Sequence, residues 1–164
     1  ARQLWDELIA AGVAPVGLGA RDTLRMEAGL CLYGQDLDPQ YTPLESGLEW
    51  TIAWQPETRD FIGRNALTAQ QSQANSLFTG ILLEDRGVLR SGMTLLLNDN
   101  QVGVTTSGGF SPTLQRSIAL ARIDAKVATD PASTSLKVDI RGKQKAVRVV
   151  PLPFVKNGKI TTAL

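Results

Sequence analysis

The stretch Leu77–Asp85, LFTGILLED, opens the part of the sequence that decides the fold. It is the first of six short apolar runs. The others are MTLLLND (Met93–Asp99), QVGVTTSGG (Gln101–Gly109), RSIALARID (Arg116–Asp124), SLKVDIRG (Ser135–Gly142) and KAVRVVPLPFV (Lys145–Val155). Turn-forming residues separate them, and Asn98-Asp99-Asn100 and Gly142-Lys143 read as hairpin turns. No helical periodicity lies between the runs. Six strands at this spacing argue for a small antiparallel barrel or a jelly-roll-like sandwich.

Upstream the texture is different. In RQLWDELIAAG, Leu4, Trp5, Leu8 and Ile9 mark one face of a helix that Gly12 would stop. A second helix is expected from about Arg21 to Cys31, with Leu24, Ala28 and Cys31 on one side. The segment DLDPQYTPLESG reads as a loop. Leu48, Trp50, Ile52 and Trp54 alternate with Glu49, Thr51, Ala53 and Gln55, the period of a half-buried strand, with the two tryptophans in the core. Asp60 is expected to start a short third helix, followed by the polar stretch QQSQANS as a domain boundary. The fold class is therefore α+β: a helix and strand segment, then an all-β domain.

Composition prunes the chemistry. An apolar fraction of 43% and a charged fraction of 20% are those of a globular chain. A net charge of +1 gives no footprint for nucleic acid, and no apolar run is long enough to cross a membrane as a helix. The absence of histidine excludes Ser-His-Asp, Cys-His and histidine-metal sites built from this chain alone, and a lone cysteine excludes a Cys₄ zinc site, so no metal is expected. One cysteine and no signal-peptide pattern fit a reducing compartment. Opening on Ala1 and running straight into a helix, the sequence reads as a piece of a longer protein.

GLGARD (Gly17–Asp22) partly matches a dinucleotide fingerprint, but Asp22 takes the third glycine's place and would repel phosphates. Asp22 reads instead as a first-turn acid favoured by the helix dipole. Arg21 meets that dipole unfavourably. It is either a surface charge or an arginine aimed at a carboxylate or polar heterocycle. Tyr33 and Tyr41 flank the acidic loop and could reach a pocket, while Asp36, Asp38 and Glu45 lie there without a partnered base. In EDRGVLRSG, Arg86 and Arg90 mark a solvated turn or an anionic docking site.

These motifs carry a family likeness. GLGARDTLRMEAGLCLYGQDL, TPLESGLEWTIAW and RDFIGRNAL, with the later TSGGFSPTLQRSIALARI and VPLPFVKNGK, resemble the aminomethyltransferase (T-protein) of the glycine cleavage system over essentially the whole chain. The second glycine of TSGGF, Gly109, is a small departure. The resemblance implies that residues 1–75 are the C-terminal part of a folate-binding region and residues 76–164 a six-stranded antiparallel Greek-key, jelly-roll-like barrel. It implies transfer of a methylene carbon from an aminomethyl-dihydrolipoyl carrier protein to tetrahydrofolate, with release of ammonia, in the bacterial cytoplasm. It places Arg21 at the folate and Arg86 and Arg90 on the side that meets the carrier; Tyr33, from its place beside the acidic loop, is a further candidate for the folate. The family's catalytic Asp lies in an N-terminal half outside this sequence, so no catalytic residue is expected here and this chain alone should be inactive. A carrier-binding barrel without its own chemistry, or the C-terminal part of a folate-dependent dimethylglycine or sarcosine oxidase, would share the layout.

Overall fold

The computed structural model describes residues 1–71, 76–129 and 135–161. Helices α1 (Arg2–Ala10), α2 (Leu18–Glu27) and α3 (Arg64–Gln70) precede strands β1 (Ser76–Leu83), β2 (Thr94–Leu97), β3 (Asn100–Ser111) and β4 (Arg116–Asp124). A short helix α4 (Ala125–Thr129), not anticipated between the strands, leads to β5 (Lys137–Ile140) and β6 (Lys143–Val150). A small hairpin, β7 (Val155–Lys156) and β8 (Lys159–Ile160), follows.

The six long strands close into an antiparallel barrel in the order β1-β4-β3-β2-β5-β6. β2, β3 and β4 follow one another as hairpins, and β5 returns beside β2, which is a Greek key. Two-residue turns fix the register. Asn98 and Asp99 both have positive φ between paired Leu97 and Asn100, and Arg141 and Gly142 do the same between Ile140 and Lys143. Such turns match the twist of the flanking strands. The second lies one residue earlier than the sequence suggested.

RSIALARID reads as a nearly unbroken apolar run because β4 is buried on both faces. Ala119, Ala121 and Ile123 point into the barrel with Ile81, Leu83, Leu95, Val138 and Val147. Ile118 and Leu120 face outward and pack with Leu82, Leu114, Val150, Phe154 and Met26 of α2. The outer cluster is what seats the N-terminal segment on the barrel wall.

Several expectations are corrected. The second helix starts at Leu18 and ends at Glu27 instead of running to Cys31. Gly29, at φ +67°, ends it: its N–H bonds the Met26 carbonyl and the Leu30 N–H bonds the Arg25 carbonyl, so the orphan carbonyls are capped by a left-handed turn. Gly12 stops α1 in the same way. Residues 48–55 form no strand. Glu49–Thr51 is a 3₁₀ turn braced by the Thr51 hydroxyl on the Leu48 carbonyl. A closed barrel offers no edge for this segment to join, so alternation alone does not make it a strand. Trp50 is 82% exposed and not core; Trp54 is half-buried, edge-on to Phe61 with Arg64 over its ring. The third helix is capped by Gly63, not started by Asp60. Most of the expected linker, residues 72–75, lies outside the described residues.

Candidate functional site

α2 carries three consecutive buried residues near its end, Arg25, Met26 and Glu27. Met26 is the apolar plug; the two charged residues need partners. Arg25 donates from Nε to Asp22 Oδ1 at 2.7 Å, from Nη2 to Ser107 Oγ at 2.9 Å, and from Nη1 to the Leu30 carbonyl and to Asp36. Asp36 is fully buried. Its carboxylate also accepts the Leu32 N–H and the Thr106 hydroxyl. Arg122 from β4 donates to the Asp36 carbonyl at 3.1 Å and stacks under Tyr41, 3.3 Å from the ring centroid. Its buried Nε has no hydrogen-bond partner among the described residues. Glu27 is held by the hydroxyls of Ser111 and Thr113 and by the Thr113 N–H.

This polar lock decides what the sequence candidates can do. Asp22 does not cap its helix, which begins four residues earlier; it pairs with Arg25. Arg21 sits one helical turn before Arg25, exposed; its backbone N–H bonds the Gly17 carbonyl, and its guanidinium has no hydrogen bond or ion pair among the described residues. Tyr33 lies in a loop closed by hydrogen bonds from Asp36 N–H to the Leu32 carbonyl and from Gly34 N–H to the Leu37 carbonyl. Asp36 anchors that loop inward and leaves Tyr33 73% exposed outside. Arg21 and Tyr33 thus hang from the two ends of one buried ion pair. Asp38 serves a local turn, accepting the Gln40 N–H; Glu45 accepts the Thr42 N–H and hydroxyl and also the Ser76 hydroxyl of β1 at 3.2 Å.

Cys31 lines a cleft of about 510 Å³ between the 46–50 turn and the barrel, whose walls include Trp50, Phe78 and Leu152. Burial pushes its thiol pKa up; the Asp36 carboxylate adds to this, and Arg25 and Arg122 oppose it. The thiolate is the reactive form. Alkylation of Cys31 by iodoacetamide, followed by peptide mass spectrometry, is therefore expected to lag behind that of free cysteine near about pH 8.5, the ordinary thiol value, and to keep accelerating above it. Labelling at the free-cysteine rate would contradict this.

Arg86 and Arg90 are both exposed, on either side of Leu89, which is fully buried. The Leu89 N–H donates to Ser117 Oγ, and Thr105 Oγ1 donates to the Arg90 carbonyl at 2.6 Å, so this turn is pinned to the barrel.

A family model described as the glycine cleavage T-protein C-terminal barrel domain matches residues 78–156, and one described as the GCVT N-terminal domain matches residues 1–56. The chain belongs to the glycine cleavage T-protein family. It is 53% identical over 156 residues to an aminomethyltransferase of Chromobacterium violaceum, covering 94% of this chain, and 51% identical over 160 residues to one of Nitrosococcus oceani, covering 97%. It spans 42% of the length of each of these relatives. The crystal structure of the glycine cleavage system aminomethyltransferase T from Bartonella henselae superposes with a TM-score of 0.83 at 34% identity, over 94% of this chain and 44% of that one. No helix among the described residues is long and apolar enough to cross a membrane.

Sequence reasoning on this T-protein chain missed Arg25, Asp36, Glu27 and Arg122 as a connected group. The Asp22–Arg25 pair, three residues apart, was available as a local signal. The link from Arg25 to Ser107 spans 82 residues and left no trace in any local pattern.

Proposed function

We propose that this chain forms the C-terminal portion of a tetrahydrofolate-dependent aminomethyltransferase of the bacterial cytoplasm, with residues 1–75 contributing to the folate site and residues 76–164 forming the barrel. The observation that carries the reading is Arg21: an exposed guanidinium without a partner among the described residues, on a helix whose next turn is locked by a buried ion pair. A planar fork held that way suits the carboxylates or the polar heterocycle of a folate, and the exposed Tyr33 ring adds a flat surface and a hydroxyl. Tetrahydrofolate, when bound, supplies the nitrogens that accept the methylene carbon. The role of this chain is to orient it.

Proton transfer and the attack on the carrier-bound carbon are assigned to the remainder of the full-length protein. Asp36 and Glu27 are consumed by structural hydrogen bonds and are not free to act as acid or base. The apolar face of α1, with Leu4, Trp5, Leu8 and Ile9 all exposed, is the surface that remainder would cover. Arg86 and Arg90 are assigned to docking of the lipoyl carrier protein.

The test is Arg21→Ala in the full-length protein. Folate binding by calorimetry should weaken by about 1.5–3 kcal/mol, the range for a hydrogen bond to a charged group. Arg21→Lys should restore only part of it, because a point charge cannot reproduce a bidentate fork. Unchanged affinity in Arg21→Ala, with the circular dichroism intact, would return Arg21 to an ordinary surface charge.

A further inference from the structure

The turn after β1 and the end of the β3–β4 hairpin enclose a second cleft, of about 340 Å³, walled by Asp85, Arg86, Gly87, Phe110, Gln115 and Arg116. Phe110 is 47% exposed there. The backbone explains why. Gly108 and Phe110 share one face of β3, and a side chain at Gly108 would come within 2.7 Å of the Leu89 carbonyl carbon. The turn therefore lies flat on Gly108, and the next residue on that face is left uncovered at its edge.

The rim is cationic. Arg86 is exposed with no side-chain partner among the described residues, and its carbonyl accepts Lys145 Nζ at 2.6 Å, which brings another cation alongside. Among the described residues the Arg116 side chain reaches only the Glu84 carbonyl, at 3.3 Å. The Glu84 carboxylate is itself taken by Arg148 at 2.8 Å, so Asp85 is the one rim anion not engaged among the described residues. The cleft is also rigid: Leu89 is buried beneath it, and Ser117 ties the Leu89 N–H to the Gly109 carbonyl.

We propose that this cleft anchors the carrier protein, with an apolar side chain of the partner packed on Phe110 and carboxylates beside that side chain meeting Arg86 and Arg116. The inference rests on the carrier reading above and adds Phe110 and Arg116 to it. A rigid aromatic ringed by arginines is the arrangement in which binding energy concentrates, and a surface already pinned loses little freedom on docking. Arg90 lies outside the cleft walls and is peripheral.

Titrating the full-length protein with its lipoyl carrier at two ionic strengths separates these contributions. Phe110→Ala should weaken carrier binding about tenfold or more at both salt concentrations, with the salt slope unchanged, because the contact it removes is apolar. Arg116→Glu should weaken binding mainly at low salt and flatten the slope. Folate affinity should hold in both variants, and Lys159→Glu, on the separate β7–β8 hairpin, should match wild type throughout. Wild-type carrier affinity in Phe110→Ala overturns the proposal. So does a loss of affinity that only tracks a lowered melting temperature while Arg116→Glu has no effect, since the cleft would then be covered by the protein's own remaining portion. If the wild type binds the carrier and both variants bind it equally well, this inference alone fails. If it does not bind the carrier at all, the carrier reading fails and takes this inference with it.

Discussion

Replacing Asp36 with alanine should destabilise the protein by about 3–5 kcal/mol, the cost of removing one member of a buried ion pair and leaving the other uncompensated. Asp36 is fully buried and Arg25 is 7% exposed, so water cannot reach either freely. The same substitution strands the Leu32 N–H, which the carboxylate now accepts, and leaves the Thr106 hydroxyl with only the Leu120 carbonyl at 3.2 Å. Asp36→Asn keeps oxygen and volume but not the charge, and should recover only part of the loss. Urea unfolding of the full-length protein measures both. A loss below about 1 kcal/mol, the scale of an ordinary exposed ion pair, would mean that Asp22, Ser107 and the Leu30 carbonyl satisfy Arg25 without Asp36. The loop that carries Tyr33 and the helix that carries Arg21 share this anchor. The alanine variant should therefore also weaken folate binding in whatever fraction remains folded.

Phe154→Ala is expected to cost a similar amount, about 3–5 kcal/mol, the range for truncating a buried phenylalanine. Its ring is fully buried in the cluster that joins α2 to the outer barrel wall, against Met26, Leu82, Leu120 and Val150. The ring lies so close over β1 that a side chain on Gly80 would come within 2.8 Å of its Cζ. Gly80 is the space in which Phe154 sits, and little can collapse into the void that alanine would leave. Phe154→Leu should retain more of the stability because it fills most of that volume. The same denaturation experiment decides it. A small loss for Phe154→Ala would show that the C-terminal segment does not hold α2 on the barrel.

The barrel could be read from the sequence because its determinants are local. Asn98-Asp99 and the glycine at Gly142 sit where a tight turn demands positive φ, and Ile81, Leu83, Ala119, Ala121 and Val147 keep the period of a strand. Helix α1 was legible for the same reason, from its spacing and its stop at Gly12. So was the family, carried by long motifs in order.

Tertiary structure alone decided the rest. Whether Leu48–Gln55 is a strand depends on a neighbouring edge, and the closed barrel provides none. Whether Asp36 is a loop acid or the centre of a lock depends on Arg25, 11 residues away, and Thr106, 70 residues away. Whether Phe110 is core or surface depends on a turn that lies flat on Gly108 and stops short of it. Periodicity records which face of a segment is apolar; burial and charge pairing are properties of what the folded chain brings against that face.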